Sequence, residues 1–300
     1  MKKLLNIVLF SGLFLSGYGQ QLQTSSLFDM QGVLHNPSTA GVNFQKMVGV
    51  TYRTQWSGIS GRPTTATAFG SFELPDQKIG LGGYLYSDKT GPTSRTGAQL
   101  SFAKHIHTGN GGIFSVGLEG RFQQFSLNKA ELTRELGNDP AIGAANNKLK
   151  ADAGFGISYT DDRFQLGASV SQLVQSKLEF YEGNLTPTAQ ARLYRHYYFH
   201  GAYNIRLDDE TVIKPNALVI YLPNAPSEVL TNVRVEHKKL FWWGVGWRWS
   251  QEIMLSAGIN LANGLNLGYS FDVYRNPVNT QYGGFFGHEF MLRYNLAREK

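Results

Sequence analysis

The 300-residue sequence contains no cysteine, and only 17% of its residues are charged. The absence of cysteine excludes disulfide scaffolds, zinc ribbons, thiol catalysis and anchoring through a lipidated cysteine. The net charge of +6 is mild and the basic residues are scattered, so the sequence predicts no nucleic-acid partner. Apart from residues 4–15, no apolar run approaches the roughly 18 residues that a membrane-spanning helix needs.

Apolar and aromatic residues are abundant, at 42% and 13%, and the chain has 34 glycines. Such a chain is too apolar and too aromatic to be disordered. Frequent tyrosine, phenylalanine and glycine favour strands and turns over long helices. The composition therefore predicts an all-β protein.

The N-terminus has the three parts of a secretory signal peptide. Lys2 and Lys3 form a basic start, residues 4–15 are apolar, and Ser16 to Gly19 supply small residues for cleavage. We expect residues 1–19 to be removed after Gly19. The alternative, a retained anchor or a buried first helix, is disfavoured because polar Gln20 and Gln21 follow at once.

Apolar and polar residues alternate with a period of two over long segments. In residues 149–159, apolar side chains alternate with Lys150, Asp152, Ser158 and glycines, and residues 265–273 repeat the pattern. About eleven alternating residues are long enough to cross a membrane as a tilted strand. The pattern predicts one apolar face toward lipid and one polar face toward a lumen.

Counting such segments predicts about 14 antiparallel strands over residues 46–300, an even number as in outer-membrane barrels. Their predicted starts lie near Lys46, Pro63, Lys78, Ser94, Gly112, Leu149, Arg163, Ala191, Thr211, Glu228, Lys239, Glu252, Gly264 and Phe286.

The connections between these strands support a transmembrane outer-membrane β-barrel. Connections after even-numbered strands are short, whereas the longest, at residues 126–148, 172–190 and 275–285, follow odd-numbered strands. A barrel with periplasmic termini places its long loops outside in this way. A soluble β-sandwich is the alternative, but its strands are usually shorter.

The alternation also predicts which side chains face lipid and which face the lumen. Aromatic residues near strand ends are expected to form two interfacial girdles: Tyr84, Tyr86, Tyr197, Tyr203, Trp243, Trp247, Trp249 and Tyr274. Charged residues on the polar phase are expected in the lumen, either pairing with one another or lining a pore or plug site: Arg53, Glu119, Arg121, Lys150, Asp152, Arg234, Glu236, Asp272, Glu289 and Arg293.

Residues 20–45 precede the first strand and form a predicted N-terminal plug or lead-in segment. Leu27, Phe28, Met30, Val33 and Leu34 give it enough apolar surface to pack inside the barrel. The Asn-Pro step that follows favours an extended residue and a turn, which would redirect the chain into the first strand.

Six motifs in collinear order resemble one family, the PorP/SprF outer-membrane proteins of type IX secretion and gliding motility in Bacteroidota. The first motif joins the run from Asn36-Pro37 to Gly41 with Tyr52-Arg53-Thr54-Gln55-Trp56-Ser57-Gly58, and the second is Asp88 with Gly91 and Pro92. The later motifs include His196-Tyr197-Tyr198, Lys214-Pro215, Tyr269 to Asp272, and His288-Glu289 with Arg293. The matching residues are interpreted as structural or partner-contacting positions.

The resemblance implies an exported protein of the outer membrane that works with the type IX machinery. The implied partners are periplasmic ring and motor components, and large secreted or surface proteins, often adhesins, with a C-terminal sorting domain. Outer-membrane lipids surround such a barrel. The sequence does not identify the secreted partner, whose specificity we expect to lie in the long polar loops.

No residue pattern predicts catalysis, a metal or a cofactor. Two histidine pairs, His105 with His107 and His196 with His200, each share a strand face but have no obvious third ligand. Adjacent His288 and Glu289 face opposite sides of a strand and cannot converge on a substrate. We therefore expect a protein that is not an enzyme.

Two functions of different kinds remain. The first is an accessory barrel that binds a secreted adhesin-like partner and supports its export or surface retention. The second is a porin-like or FadL-like outer-membrane transporter of small or apolar solutes, which an apolar path through the lumen would favour. Dense mixed charge on the polar phase argues against an apolar path but leaves a hydrophilic pore open.

Overall fold

The computed structural model describes residues 24–42, 46–136, 147–177, 192–223, 225–249, 251–275 and 286–296. The predicted signal peptide, residues 1–19, lies outside this part of the chain, as does much of each of the three longest predicted loops. None of the helices within the described ranges has the length and hydropathy needed to cross a membrane.

Strands make up most of the described chain, and almost all begin within two residues of their predicted starts. The strand expected near Ala191 instead begins at His196, and Ala191 itself lies outside the described residues. The strands are β1 Lys46–Thr54, β2 Thr64–Leu74, β3 Ile79–Thr90, β4 Thr93–His107, β5 Ile113–Leu127, β6 Asn147–Thr160, β7 Phe164–Ser171, β8 His196–Tyr203, β9 Ile205–Arg206, β10 Thr211–Tyr221, β11 Glu228–His237, β12 Phe241–Arg248, β13 Glu252–Asn260, β14 Leu265–Tyr274 and β15 Phe286–Asn295.

These strands form one closed antiparallel barrel. Each pairs with its neighbours in sequence, and β1 closes the ring by pairing with β15, with Arg53 opposite Glu289. The two-residue β9 continues β8 after Asn204, and both pair with β10. Counted as one strand, they give the fourteen-stranded outer-membrane barrel that the sequence predicts, so the predicted fold is confirmed.

The two ends of the barrel differ in their connections. At one end, called the turn end here, β1 begins and β15 ends, and the connections are short: 75–78, 108–112, 161–163, 207–210, 238–240 and 261–264. At the opposite end, called the loop end, the connections include 55–63, 128–146, 172–195 and 275–285, and one helix, Lys129–Leu136, lies in the second of these. Long connections thus follow odd-numbered barrel strands, as the sequence indicates.

Burial alternates along the strands, with large apolar side chains on the outer face. Leu100, for example, is 73% exposed, while its neighbours Gln99 and Ser101 are buried inside. The predicted girdle is wrong for three tyrosines, because Tyr84, Tyr86 and Tyr274 face the interior and are at most 5% exposed. Their phase follows the alternation of their own strands, which outweighs the preference of tyrosine for a membrane interface.

The interior is also less uniformly polar than the alternation predicts. Two large apolar clusters of buried side chains lie there. One contains Leu27, Met30, Leu34, Met47, Phe69, Tyr84, Tyr86, Trp242 and Met291, and the other contains Phe28, Tyr198, Leu218, Ile220, Leu222, Leu230 and Met254. Both clusters combine N-terminal residues with inward-facing strand residues, because the N-terminal segment supplies the apolar surface against which those strand residues pack.

Residues 24–42, called the plug here, fill part of this interior. They form short helical turns at Phe28–Met30, Gly32–His35 and Pro37–Thr39, and nearly all are buried. Turns this short have no stability of their own. The plug therefore keeps its shape through its contacts with the barrel wall.

Candidate functional site

Five charged residues meet inside the barrel near the loop end and are called the arginine cluster here: Arg53, Arg248, Glu252, Asp272 and Glu289. Arg53 Nη2 lies 3.1 Å from Glu252 Oε1 and 2.9 Å from Asp272 Oδ2. Arg53 Nη1 lies 3.7 Å from Glu289 Oε2, and Arg248 Nε lies 2.9 Å from Glu252 Oε1. Two guanidinium groups thus face three carboxylates, all of them almost fully buried.

The start of the plug binds directly to this cluster. Ser25 Oγ donates to Glu289 Oε1 (2.6 Å), and the Ser26 backbone amide donates to Glu289 Oε2 (2.7 Å). Ser26 Oγ donates to Asp272 Oδ2 (2.8 Å). Arg53 Nη1 donates to the Thr24 carbonyl (3.0 Å), so the plug satisfies both signs of charge in the cluster.

A second buried group joins the plug to β4 and β5. Arg121 Nη2 lies 3.0 Å from Glu119 Oε1 and donates to Gln99 Oε1 (2.7 Å). Gln99 Nε2 donates to Glu119 Oε2 (2.7 Å) and to the plug carbonyl of Val33 (3.0 Å). The predicted lumen charges Glu119 and Arg121 therefore lie side by side on β5 and pair with each other.

The remaining predicted lumen charges lie in other parts of the wall. Arg234 Nη1 is 2.6 Å from Asp29 Oδ2 of the plug, and the ammonium group of Lys214 lies 2.5 Å from Glu236 Oε2. The side chain of Asp152, in contrast, accepts the backbone amide of Val174 (3.0 Å) at the loop end. Arg293 donates to Asn266 Oδ1 (3.3 Å), and Lys150 is half-buried on the same face of β6 as Asp152.

A cavity of about 380 Å³ opens at the turn end. Met30 of the plug and Trp242 line it together with charged residues of both signs, including Lys214, Glu236 and Arg293. The adjacent turn is stabilised by Asp208, whose carboxylate accepts the backbone amides of Glu210 and Thr211. These backbone hydrogen bonds lower the pKa of the Asp208 carboxyl, and the bond from Glu210 contributes most.

Asn36 fixes the second half of the plug. Its Oδ1 accepts the Ser38 backbone amide (3.0 Å) and the Ser38 hydroxyl (2.7 Å), which caps the turn at Pro37–Thr39. Its Nδ2 donates to the Ile157 carbonyl of β6 (3.0 Å) and lies 3.0 Å from His200 Nε2. Proline at the next position suits this geometry because its fixed φ favours the first residue of a helical turn.

Three inward-facing glycines give this half of the plug its room and are called the glycine cradle here: Gly80, Gly117 and Gly156. A Cβ at Gly117 would collide with the backbone of Pro37 and Ser38, one at Gly156 with Oδ1 of Asn36, and one at Gly80 with the carbonyl of Ala40. The plug backbone therefore rests directly on the strand backbone, as only glycine allows.

Gly41 ends the plug in a left-handed conformation. Its φ is +75°, and its amide donates to Ser71 Oγ of β2 (2.7 Å). A Cβ atom added at Gly41 would lie 2.9 Å from the Gly80 Cα. The motif from Asn36 to Gly41 thus acts as one unit that docks the plug on β2, β3, β5 and β6.

The other motif residues near the loop end form a connected surface. The Gly91 amide donates to the Gly61 carbonyl (2.8 Å), and Asn128 donates to the Pro92 carbonyl (2.7 Å), which join three connections. Asp88 accepts the Thr65 hydroxyl (2.7 Å).

The first loop is also tied to the last strand. The Trp56 ring packs edge-on against Tyr274 at 6.4 Å, and the next amide, of Ser57, donates to the Phe286 carbonyl (2.9 Å). Gln55 and Gly58 belong to the same loop: the Gln55 amide donates to the Pro63 carbonyl (2.9 Å), and Gly58 has a positive φ of 113°.

Three motif residues lie on the outer face instead. Tyr52 is exposed there, directly opposite Phe290 in the pairing of β1 with β15. The Tyr269 hydroxyl lies 2.7 Å from His288 Nδ1, and the Tyr269 ring packs against Phe290 at 4.8 Å. The structure therefore divides the motif residues among the plug, the arginine cluster, the loop end and the lipid-facing wall.

Sequence reasoning missed several residues that complete these groups. Glu252 and Arg248 lie on the polar phase of short strands, a signal that would have placed them in the lumen with Arg53. Asp29 had no such signal, because the plug lacks strand periodicity. No group of three or more His, Asp or Glu side chains in the described part of the chain is arranged to hold a metal ion.

Comparison with known proteins gives one family and a set of similar folds. The family described as "Type IX secretion system membrane protein PorP/SprF" matches residues 16–294. No curated protein sequence matches the chain. The family match confirms the resemblance seen in the sequence motifs.

Solved structures with a similar fold are outer-membrane barrels. The Ralstonia pickettii toluene transporter TbuX has a TM-score of 0.54 at 7% identity, with 89% of this chain and 93% of that chain covered. The CymD monoaromatic hydrocarbon channel gives 0.55 at 8%, covering 95% and 96%. A Pseudomonas aeruginosa FadL homologue gives 0.52 at 13%, covering 87% and 93%. At such identities the likeness extends to the fold alone.

Proposed function

Because the chain belongs to the PorP/SprF family of type IX secretion membrane proteins, we propose that it is a non-enzymatic outer-membrane component that binds a large secreted partner. The partner is an adhesin-like protein with a C-terminal sorting domain, and the barrel supports its export or its retention at the cell surface. Periplasmic ring and motor components of the machinery, some of which serve gliding motility, are the second class of partner.

The observation that carries this proposal is the anchored plug. Polar contacts hold it to β1, β4, β11, β14 and β15, and its second half lies on the glycine cradle. Withdrawing the plug would leave the carboxylates of Asp272 and Glu289 without four of their hydrogen bonds inside a buried cluster. A barrel interior occupied in this way favours binding of a partner at the barrel ends over conduction of solutes through the barrel.

The loop end is the surface that we assign to the secreted partner. Its first loop is fixed to β15 through Ser57 and to the β3–β4 turn through Gly61, so it presents a preorganised rim. Preorganised loops lose little conformational entropy on binding. We assign the turn end, with its short connections and both barrel termini, to the periplasm, where ring components lie.

A gene deletion with quantitative proteomics of the cell surface and the culture medium tests the proposal. We expect one or a few large proteins with a sorting domain to leave the surface while other secretion continues. Complementation with the unaltered gene restores them. Unchanged surface proteins in the deletion strain would contradict a partner-specific role.

A porin-like or FadL-like transporter is the second candidate. The observation in its favour is the pair of apolar clusters inside the barrel, since the similar folds include the toluene transporter TbuX and the monoaromatic hydrocarbon channel CymD. Uptake of a labelled apolar solute by the deletion and complemented strains distinguishes the two. A drop in uptake with unchanged surface proteins would favour transport.

A further inference from the structure

The cavity at the turn end, called the turn-end cavity here, lies between the plug and the inner wall of the barrel. Met30 of the plug and Trp242 of β12 line its inner part, and Asp209, Lys239 and Leu261 of the short connections lie at its mouth. Its volume of about 380 Å³ is near the lower end of the roughly 300–1,000 Å³ that small-ligand sites occupy. The cavity therefore has room for a small molecule or the end of a chain, but not for a folded domain.

The strand residues that line the turn-end cavity carry one positive charge in excess. Lys214 pairs with Glu236 of the neighbouring strand, and Arg234 pairs with Asp29 of the plug (2.6 Å). Arg293 of β15 is the third cation of this lining and is almost fully buried. Three cations and two carboxylates thus meet in the inner part, which favours a ligand with a single negative charge.

The charges at the mouth of the cavity add no excess of their own. Asp209 and Glu210 are negative, and Lys239 is positive. The ammonium group of Lys238 lies 3.6 Å from Glu210 Oε2. Two cations and two carboxylates balance at the mouth, so the excess positive charge belongs to the strands.

Trp242 supplies a polar donor beside this excess charge. Its side chain is 2% exposed, and its indole Nε1 has no hydrogen-bond partner among the residues that the structure describes. The ring is fixed in place, because Cβ atoms at Gly258 and Gly268 would crowd the indole and the Arg234 guanidinium lies 5.7 Å above the ring centre. A buried N–H without an acceptor costs free energy that a bound carboxylate would recover.

Other lining groups suit the atoms that precede a carboxylate in a peptide. The side-chain oxygens of Asn260 and Asn295 are buried and have no hydrogen-bond donor within the described ranges, so they can accept peptide N–H groups. Met30, Val212 and Leu261 offer apolar contacts to a side chain. Donors for one carboxylate, acceptors for peptide groups and an apolar wall match the end of a polypeptide chain.

We propose that the turn-end cavity binds the C-terminal carboxylate of a polypeptide whose last side chain is apolar. Arg293 and the Trp242 indole N–H bind the carboxylate, and the two asparagine oxygens accept from the peptide backbone. The proposal rests on the assignment of the turn end to the periplasm under the proposed function. It gives the chemistry by which a periplasmic partner is recognised there.

Fluorescence polarisation with short peptides tests this proposal. The purified barrel in detergent is titrated into fluorescein-labelled Gly-Gly-Gly-Leu with a free C-terminus, and into the same peptide with an amidated C-terminus. Amidation removes the charge that Arg293 binds, so we expect the free acid to bind about tenfold more tightly. Equal affinities of the two peptides would overturn the proposal.

Competition with a single amino acid separates a chain terminus from a small carboxylate. N-acetyl-leucine keeps the carboxylate and the apolar side chain but lacks the preceding peptide groups. We expect it to displace the labelled peptide only at about tenfold higher concentration than unlabelled Gly-Gly-Gly-Leu. Displacement at equal concentrations would assign the cavity to a small carboxylate and overturn its assignment to a polypeptide.

Trp242→Phe removes the indole N–H and is expected to weaken binding of the free acid about fivefold. The matched control is Trp243→Phe, because Trp243 is the next residue of β12 and lies exposed on the outer face. The control should leave the affinity unchanged, and equal losses in the two variants would overturn the proposal. Folding of each variant is checked by its resistance to dodecyl sulfate in electrophoresis.

Arg293→Gln should abolish the preference for the free acid over the amide. If that variant does not fold, Lys239→Glu at the exposed mouth replaces it, and we expect this change to weaken binding of the free acid about threefold. The matched control is Lys78→Glu, since Lys78 is an exposed turn-end lysine with a similar positive φ that does not line the cavity. Equal losses in the two lysine variants would show unspecific attraction of an anion and overturn the proposal.

The binding assay and the deletion experiment fail independently. Unchanged surface proteins in the deletion strain would contradict the proposed function and leave the peptide affinities as measured. Equal binding of acid and amide would contradict the cavity proposal and leave the role in secretion intact.

Discussion

The two halves of the plug are held by different physics. Residues 24–31 are held by charge, through hydrogen bonds to the arginine cluster and the Asp29–Arg234 pair. Residues 36–41 are held by shape, through the Asn36 cap and the glycine cradle. The first half meets β10 to β15 and β1, and Phe28 also packs in one cluster with Tyr198 of β8, whereas the second half meets mainly β2 to β7.

The difference shows two ways of closing one barrel with a short segment. Buried charges demand partners, because an uncompensated charge costs far more than a lost apolar contact. A backbone-to-backbone contact has no such demand, but it fails when any side chain is added on the strand. The charged half should therefore be destabilised when a charged side chain is removed, and the glycine half when a side chain is added to a glycine.

Removing the central cation of the charged half should have the largest effect. Arg53→Met leaves Arg248 as the one cation of the arginine cluster beside the carboxylates of Glu252, Asp272 and Glu289. We therefore expect the free energy of unfolding to fall by about 3–5 kcal/mol. Urea unfolding of the purified barrel in detergent, followed by tryptophan fluorescence, measures this.

Adding Asp272→Asn and Glu289→Gln to Arg53→Met should recover part of that stability, because fewer uncompensated carboxylates remain buried. A full-size loss in the triple variant would show that Arg53 acts through packing instead of charge.

Adding a side chain to the glycine half should have the next largest effect. Gly117→Val places carbon atoms where the backbone of Ser38 lies, so we expect a loss of about 3 kcal/mol and faster protease cleavage within the plug. Gly120→Val on the same strand is the matched control, since nothing lies within 4 Å of its Cβ position. Equal effects of the two substitutions would argue against a cradle.

Breaking the second anchor of the charged half should have a moderate effect. Asp29→Asn removes the carboxylate beside Arg234, 2.6 Å away, and we expect a loss of about 2 kcal/mol. A double-mutant cycle with Arg234→Met isolates the pair. A coupling energy near zero would mean that the two side chains contribute independently.

The inward tyrosines should give the smallest effect. Tyr86→Phe removes the hydroxyl that donates to Gln123 Oε1 (2.8 Å), and we expect a loss of about 1 kcal/mol. Tyr52→Phe on the outer face serves as control and should change stability little. If the order of these two losses were reversed, the inward placement of Tyr86 would be in doubt.

The sequence predicts the barrel well because strand alternation is local. Burial of one face produces the period of two within each strand, so residues 149–159 and 265–273 reveal their direction without any knowledge of their neighbours. The same signal places Arg53, Asp272 and Glu289 on the inner face. The alternation does not show which of these side chains contact one another, because that depends on the register between strands that are distant in sequence.

The misplaced tyrosines illustrate a second limit. Residue type alone predicts Tyr84 and Tyr86 at the membrane interface, although Leu81 and Leu85 mark the outward phase of β3. Within one strand, phase is the stronger signal, because a one-residue shift would turn every side chain to the other face. The alternation places Gly117 and Gly156 on the inner face only as small residues, and nothing local in the sequence indicates that the plug rests on them.

Local patterns in the amino-acid sequence are enough to predict the class of the protein: a barrel of about 14 strands, a plug-like N-terminal segment and motifs of the PorP/SprF family. Only the closed barrel shows that Arg53 joins three carboxylates from three other strands, and that Asn36 caps a turn lying on Gly117 and Gly156. The physical reason is the range of the interactions in sequence. The alternation of polar and apolar residues arises within each strand, whereas these contacts join residues that come together only when the barrel closes.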